Sequence, residues 1–441
     1  MNYKLSLLIL FTLFFGSAEA QQSWTLEQCI RYALEHNIQV QQQRINCQQR
    51  EIDVDNARHQ RLPDLSASAS ENFSFGRGLT AENTYTNTNT TSTSFSLGTS
   101  VPLFTGLRIP RTLEQNKLNL QAANADLEKA SNDISMQVAA AYVQILYNIE
   151  LCDVACRQTE IDSLQVVRLN AMVKNGKASG AELARQEATL AQSRLSAVQA
   201  DNERRLSLLA LTQLLELPTP EGFDIVRPKL PAGGVGSSSL PSPDAVFAEA
   251  LTVQPSIQAE QLRLQSAEKS ILIARSALYP TLQFQAGLGS NYYKTRGFVS
   301  DGFFRQLRNN FSQYVGLNLS VPIFNRFETR NSIHRAQLDR DNQQLQLSNA
   351  RKQLYNEIQQ AYYKAVNARE NYASSTSALR SNEEAYRLTE AKYENGKANI
   401  TEFNEARDAF LRSESDLSRS RYEYLYSAKL LDFYRGRPME F

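Results

Sequence analysis

Two carboxylates near the C-terminal end of the chain have a spacing that could do chemistry. Glu402 and Glu405 lie six and nine residues beyond Gly396, and a separation of three places them on one face of a helix. Carboxylates gathered at a narrow passage bind cations and form an electrostatic barrier. The alternative is that both are solvated surface charges, as most charged residues are.

Cysteine and histidine are too sparse for a convincing metal or catalytic site. Cys152 and Cys156 share a helix face, but His36, His59 and His334 all lie far from them in sequence. We therefore expect small buried thiols, no metal and no cofactor. Because no phosphate-binding glycine loop or Ser/His/Asp arrangement stands out, we expect no catalytic residues and no enzyme activity.

The N-terminal residues have the pattern of an export signal. Lys4 precedes an apolar run from Leu5 to Phe15, and Ala18-Glu19-Ala20 forms a small-x-small cleavage site. This predicts a signal peptide over residues 1–20, cleaved after Ala20, with a retained membrane anchor as the alternative. No further apolar stretch of helix-spanning length is evident, so membrane contact would not use transmembrane helices. The net charge of +1 argues against nucleic acid as a partner.

The mature chain contains two copies of one unit. The sequence NGKA occurs at 175–178 and at 395–398, and the same offset of 220 residues aligns VPLF at 101–104 with VPIF at 321–324. The first copy spans 21–217 and the second 244–441, and a connector over 218–243, rich in Pro, Gly and Ser, is expected to be irregular.

Each copy contains two stretches in which apolar and polar residues alternate, over about 65–75, 93–103, 282–292 and 313–323. The polar positions are mostly Ser, Gly, Asn and Gln, and aromatic residues cluster at the ends, as in outer-membrane strands. The alternative is that these are strands of a soluble protein with one face exposed to water. Glu71 lies on the apolar side of the first stretch and weakens the prediction of a membrane strand there. The linkers GRGLTAENTYTNTNTT and KTRGFVSDGFFRQLRNN are expected to be long polar loops.

Four such strands cannot close a barrel, and open edges are not tolerated in lipid. The chain must therefore oligomerise, and two or three protomers sharing one barrel are the simplest solutions.

A long helix follows each strand pair. Residues 111–173 and 328–394 contain neither proline nor glycine, and both show seven-residue apolar spacing typical of coiled coils. Second helices are predicted over 181–217 and 400–434, so each NGKA is the tip of a helical hairpin.

The order of these elements resembles the TolC-like outer-membrane efflux proteins. The resemblance rests on the strand ends VPLF and VPIF, on the turns NGKASGAELARQEATLAQSRL and NGKANITEFNEARDAFLRSE, and on the openings LEQCIRYALEHN and VQPSIQAEQLRLQSAEKSILIARSALYPTL. One departure from the family is that Asn37 is followed by Ile38, where the family usually has proline. Without that proline, the sequence does not fix the residue at which the second helix begins.

The resemblance implies a mainly α protein with a membrane β-barrel portion. Its homotrimer would form a twelve-stranded β-barrel in outer-membrane lipid and a periplasmic α-barrel. Such a duct passively conducts substrates in multidrug efflux or type I secretion. Its partners would be a periplasmic adaptor and an inner-membrane pump of RND, ABC or MFS type.

The resemblance also assigns roles to residues at the hairpin tips. Glu402 and Glu405 would form a periplasmic gate, whereas the first copy has Glu182 and Arg185 at the matching offsets. The adaptor would dock on Asn175, Gly176, Lys177, Ala178 and Ser179, and on Asn395, Gly396, Lys397, Ala398 and Asn399.

The competing function is that of a soluble periplasmic coiled-coil adaptor or scaffold. Such a protein need not repeat its strand pairs, and its strands should carry charges where these carry Ser and Gly.

Overall fold

The computed structural model describes residues 23–79, 83–228 and 240–439. The helices are α1 (Leu26–His36), α2 (Ile38–His59), α3 (Arg108–Lys174), α4 (Gly180–Leu214), α5 (Pro243–Val253), α6 (Pro255–Ser276), α7 (Phe303–Asn309), α8 (Glu328–Glu394) and α9 (Ile400–Tyr434). The strands are β1 (Ser23–Trp24), β2 (Asp64–Leu79), β3 (Tyr85–Thr105), β4 (Asp224–Ile225), β5 (Thr281–Thr295) and β6 (Ser312–Ser320). The expected signal peptide lies outside the described residues.

The chain divides into two compact units. The helical unit comprises Met1–Ile45, Ala125–Gln258 and Ala350–Phe441, and the sheet unit comprises Asn46–Asn124 and Ala259–Asn349. Helices α3 and α8 each contribute residues to both units.

The core of the helical unit forms where α1, α3, α4 and α9 meet. Ile134, Val138 and Ile145 of α3 are buried there together with Leu211 and Tyr422. Ile134 belongs to the seven-residue pattern, so the predicted apolar seam is a real packing surface at this level. This core also explains why α3 contains a window apolar enough, by length and composition, to cross a membrane. Half of that window is buried inside the structure.

The described part of the connector contains a short strand, so the expectation of a wholly irregular segment was wrong. β4 pairs in parallel with β1, and the N–H of Val226 donates to the carbonyl oxygen of Trp24 at 3.0 Å. The hydroxyl of Tyr142 donates to the carbonyl oxygen of Val226 at 2.6 Å. Tyr142 therefore fixes both short strands to α3, using its polar tip while its ring is buried in the core.

The break between α1 and α2 forms without proline. Asn37 is buried, and its Oδ1 accepts a hydrogen bond from the N–H of Gln39 at 2.9 Å. Its Nδ2 donates to the carbonyl oxygen of Leu214 at 3.1 Å. An asparagine side chain can replace a helical backbone bond in this way, so Asn37 ends one helix and caps the next. In the second copy, the corresponding second helix, α6, begins with Pro255, where the first copy has Ile38.

The sheet unit is built on one antiparallel sheet with strand order β2-β3-β5-β6. Its register places Ala67, Leu97 and Leu288 opposite one another on one face. The next row, on the other face, is Ser68, Ser96 and Gly289. The alternation predicted from sequence therefore produces one apolar and one polar face. The apolar face is largely exposed in the single chain: Leu65 is 74% and Val315 is 75% accessible. So large an exposed apolar surface indicates lipid or partner contact.

The strands differ in length from the prediction. β2 runs to Leu79 and β3 begins at Tyr85, so most of the residues that were expected to form the first long loop belong to strands. Cross-strand pairing of Ser, Thr and Asn extends this hairpin beyond the apolar residues that guided the prediction. β6 ends at Ser320, so VPIF at 321–324 lies outside the strand although VPLF at 101–104 lies inside β3. The second linker contains the helix α7, which the sequence analysis missed.

Replacing Gly106 by alanine is expected to destabilise the sheet unit. Gly106 has a φ of +62°, and an added Cβ would lie 2.5 Å from the carbonyl oxygen of Ser276. The left-handed conformation alone costs an L-residue about 1–2 kcal/mol, and the clash adds to this. The check is the thermal unfolding midpoint, with Gly180→Ala as control because a Cβ at Gly180 meets nothing within 4 Å. Equal midpoints for the two variants would contradict this account.

Candidate functional site

The two NGKA turns have the same backbone geometry. Gly176 and Gly396 have φ values of +70° and +67°, the left-handed conformation that ends a helix. The N–H of Lys177 donates to the carbonyl oxygen of Met172 at 2.8 Å, and that of Lys397 donates to the carbonyl oxygen of Lys392 at the same distance. The glycine is therefore required by the turn itself, whatever docks on it.

The predicted docking residues do not all point outward. Asn175, Gly176 and Lys177 are exposed, as are their counterparts in the second copy, whereas Ala178 and Ala398 are half-buried. The asparagine side chains are also occupied, because Asn175 Nδ2 donates to the carbonyl oxygen of Ala171 at 2.8 Å. The lysines are therefore the long side chains that each turn presents to solvent.

Both second helices begin with a capping box. Ser179 Oγ accepts from the N–H of Glu182 at 3.2 Å, and a Glu182 carboxylate oxygen accepts from the N–H of Ser179 at 3.1 Å. Asn399 and Glu402 make the same reciprocal pair at 2.8 and 3.3 Å. The carboxylate of Glu402 thus stabilises the N-terminus of α9. The S-x-x-E and N-x-x-E spacing could have revealed this from sequence.

Glu405 is exposed one turn further along α9 and has no hydrogen-bond or ion-pair partner among the described residues. The first copy has Arg185 at this offset from the turn, so at this position the second hairpin carries an acid and the first carries a cation.

A buried ion pair, which the sequence analysis missed, joins the two hairpins close to these turns. Arg407 of α9 lies 2.6 Å from Asp162 of α3, and their side chains are 1% and 0% exposed. The other carboxylate oxygen of Asp162 accepts from Gln158 at 2.8 Å. Gln186 of α4 lies 3.3 Å from Asp162 and accepts from Asn404 Nδ2 at 3.2 Å. Three helices therefore share one polar cluster.

Aromatic side chains pack beside this cluster on the second hairpin. Phe403 is fully buried, with its ring 4.9 Å from Tyr393 and 5.8 Å from Tyr386. Burial, together with the hydrogen bond to Glu390, raises the pKa of Tyr386 to about 12. The guanidinium of Arg168 on α3 lies 5.3 Å from the centre of the Tyr393 ring. The ring contacts pack α8 against α9 beside the second turn, and the contact between Arg168 and Tyr393 links this hairpin to the first.

No group of three or more His, Cys, Asp or Glu side chains that could hold a metal ion occurs in the described part of the chain. The expectation that Cys152 and Cys156 are buried thiols is wrong, because Cys156 is exposed and Cys152 is only partly buried. The other two cysteines, Cys29 and Cys47, are buried.

Removing one member of the buried ion pair should loosen the contact between the hairpins. Arg407→Met leaves the Asp162 carboxylate buried without its counter-ion, which typically costs about 3–5 kcal/mol. Hydrogen exchange of α9 amides would measure the loss, and the double variant Arg407→Met, Asp162→Leu should recover much of it. Arg387→Gln, which breaks an exposed pair with Glu384 at 2.7 Å, is the control and should change little. Exchange in Arg407→Met no faster than in the control would exclude this role.

Comparison with known proteins identifies the family. The model of the outer membrane efflux protein family matches residues 29–216 and 246–437. Protein CyaE of Bordetella pertussis strain Tohama I is 24% identical over 330 residues, which is 70% of this chain and 64% of the relative. The pyoverdine export outer membrane protein OpmQ of Pseudomonas aeruginosa is 28% identical over 236 residues, 52% of this chain and 45% of the relative. The chain thus spans less than two thirds of the length of either relative.

Solved structures show the same fold at low sequence identity. CusC superposes with a TM-score of 0.77 at 15% identity, covering 93% of this chain and 91% of the other. VceC of Vibrio cholerae gives 0.74 at 17% identity, with coverage of 94% and 97%. The prediction of a mainly α chain with a sheet portion is confirmed, and the alternative of a soluble periplasmic adaptor is not favoured. With both halves matched, the chain belongs to the outer membrane efflux protein family, a family of outer-membrane transport channels and not of enzymes.

Proposed function

We propose that this protein is the outer-membrane exit duct of an efflux or secretion system. The observation that carries the proposal is a four-stranded sheet with one exposed apolar face, one face of Ser, Gly and Asn, and two open edges, β2 and β6. In lipid these edges must be paired. Three copies would supply twelve strands, enough to enclose a channel lined by the polar faces.

The proposal includes the partners of such a duct. A homotrimer would receive substrate from an inner-membrane pump of RND, ABC or MFS type through a periplasmic adaptor. The relative OpmQ is named for pyoverdine export. The adaptor would dock on the turns around Lys177 and Lys397. Photocrosslinkers placed at these two positions should capture an exported helical protein, and the absence of any crosslink would count against docking there.

The gate is proposed to depend on Glu405 more than on Glu402. Both carboxylates are exposed, but that of Glu402 already caps α9. In a trimer the two acids would form a set of six carboxylates, which attracts cations and repels anions.

Neutralising these acids should reduce cation selectivity. Glutamine keeps the capping hydrogen bonds of Glu402, so Glu402→Gln, Glu405→Gln removes charge with little loss of helix stability. In planar bilayers the cation-to-anion permeability ratio should fall, with most of the change already present in Glu405→Gln. Glu182→Gln is the matched control, because it neutralises the equivalent capping acid of the first hairpin. Unchanged selectivity and conductance in the double variant would exclude the gate.

Membrane fractionation should separate the duct from a soluble adaptor. The protein should remain in the outer-membrane fraction after a high-salt wash, since burial of apolar surface is not weakened by salt as surface charge contacts are. Mass spectrometry of the purified protein should find Gln21 as the first residue. Recovery in the salt-washed soluble fraction would favour the adaptor, and an intact N-terminus would favour a retained anchor.

A further inference from the structure

Helix α7 folds back onto the apolar face of the sheet. The ring of Phe303 lies 5.0 Å from Tyr292 and 6.5 Å from Phe95. Phe95 is paired with Ser290, and Ser290 shares its face of β5 with Tyr292 and Leu288. The Oγ of Ser290 donates to the carbonyl oxygen of Leu307 at 2.6 Å. The helix therefore lies on the outside of the proposed duct and does not cover its lumen.

Side-chain hydrogen bonds to the backbone hold α7 in this position. Gln306 accepts from the N–H of Tyr293 and donates to the carbonyl oxygen of the same residue, both at 3.0 Å. Asn310 Nδ2 donates to the carbonyl oxygen of Asn291 at 2.7 Å. The side chains on the opposite side of α7 are thus presented outward by a fixed element.

The outward side combines large apolar groups with positive charge. Phe304 is 82% exposed, and Arg305 and Arg308 lie beside it on the exposed surface. Residues 294–311 contain four cations, Lys294, Arg296, Arg305 and Arg308, and one carboxylate, Asp301, which gives a net charge of +3.

Few carboxylates oppose these cations. Asp301 pairs with Arg305 at 3.2 Å, whereas Arg308 has no carboxylate partner in the described ranges. Glu71 lies on the same face of β2, and including it leaves a net charge of +2. An exposed mixture of Phe and Arg is typical of protein surfaces at the boundary between lipid and water.

A groove lies on the same face directly beside α7. Its volume is about 460 Å³, within the range of small-molecule sites, and its walls are mainly apolar. The principal lining residues are Ala67, Ala69, Phe95, Leu97, Leu288 and Phe311. The two alanines lie on the edge strand β2, directly opposite Leu97 and Phe95 of β3.

We propose that α7 and this groove form a binding site for a phosphorylated, acyl-chain lipid of the outer leaflet. An acyl chain occupies the groove, and Arg308 and Arg305 bind the phosphate, a group that guanidinium recognises through paired hydrogen bonds. The site rests on the proposed function for its orientation. α6 and α8 adjoin β5 and β6 at Thr281 and Ser320, so α7 lies at the opposite end of the hairpin, which faces outward if the long helices are periplasmic.

Among the described residues, the second copy alone provides this site. Helix α7 lies within the sixteen residues that separate β5 from β6, whereas five residues separate β2 from β3. A trimer would bind three lipids, one on each protomer.

Native mass spectrometry of the full-length protein in detergent tests the proposal. The probe is a bis-phosphorylated lipid A, compared with the same lipid after removal of its phosphates. Arg305→Gln, Arg308→Gln should weaken binding of the phosphorylated lipid at least about tenfold, equivalent to roughly 1.4 kcal/mol. Ala69→Phe, which fills the groove, should weaken binding of both lipids. Arg330→Gln, Arg335→Gln, at two exposed positions on α8, is the charge-matched control and should bind as the wild type does.

Equal binding of the two lipids, or unchanged binding in the double arginine variant, would overturn the proposal. Unchanged binding of both lipids in Ala69→Phe would show that the acyl chain does not bind in the groove. Conductance in planar bilayers is recorded on the same samples. A protein that conducts but binds no lipid contradicts only the lipid site, and one that binds lipid but never conducts contradicts only the exit duct.

Discussion

In a membrane every backbone N–H and C=O must find a partner within the protein, because the hydrocarbon offers none. The sheet of this chain satisfies that requirement internally along β3 and β5, but β2 and β6 each have one unpaired edge. Its apolar face is exposed at the same time, so water is an equally poor environment for the single chain. If the sheet lies in a membrane, as proposed, its two edges must be paired by other copies, and that pairing would determine where the lumen lies.

In the helical hairpins, the residues at the turn determine where each long helix ends. Each ends with a left-handed glycine, and each returning helix starts with a capping box, so the turn geometry is the same in both copies. The differences lie just beyond the turns. The second hairpin carries Glu405, whereas the first has Arg185, and Arg407 reaches across to Asp162 in the interior. The two copies thus share one turn geometry but carry different charged side chains beside their turns.

Much of this architecture could be predicted from sequence because it depends on periodic patterns. Alternation located all four long strands, and the seven-residue spacing located α3 and α8, since burial repeats along these elements. Strand ends were less predictable, because β2 and β3 continue through Ser, Thr and Asn that carry no apolar signal. Helix α7 was missed since its seven residues are too short for a helical pattern, and its position depends on contacts with Tyr292 and Tyr293.

The candidate site was predictable only in part, for a similar reason. The turns are local, and the glycine and capping residues could be recognised from their spacing. The ion pair between Arg407 and Asp162 joins residues 245 positions apart, so no local pattern pairs them. The only sequence signal is that Phe403 and Leu411 lie four residues before and after Arg407 on the same helix face. The spacing N-x-x-E is that of a capping box and could have predicted the capping role of Glu402. The pair of acids predicted as a gate thus contains one residue with a structural function and one without.

The most direct test of the account is a crosslink between the open edges of neighbouring copies. In a background lacking the four native cysteines, Ser68→Cys on β2 is combined in turn with cysteine at Tyr314, Gly316 or Asn318 on β6, which lie on the same polar face of the sheet as Ser68. If β2 of one protomer pairs with β6 of the next, one of these registers should give disulfide-linked trimers from outer membranes, and no larger species. Monomers alone in every register, or an open series of larger oligomers, would contradict closure by three chains.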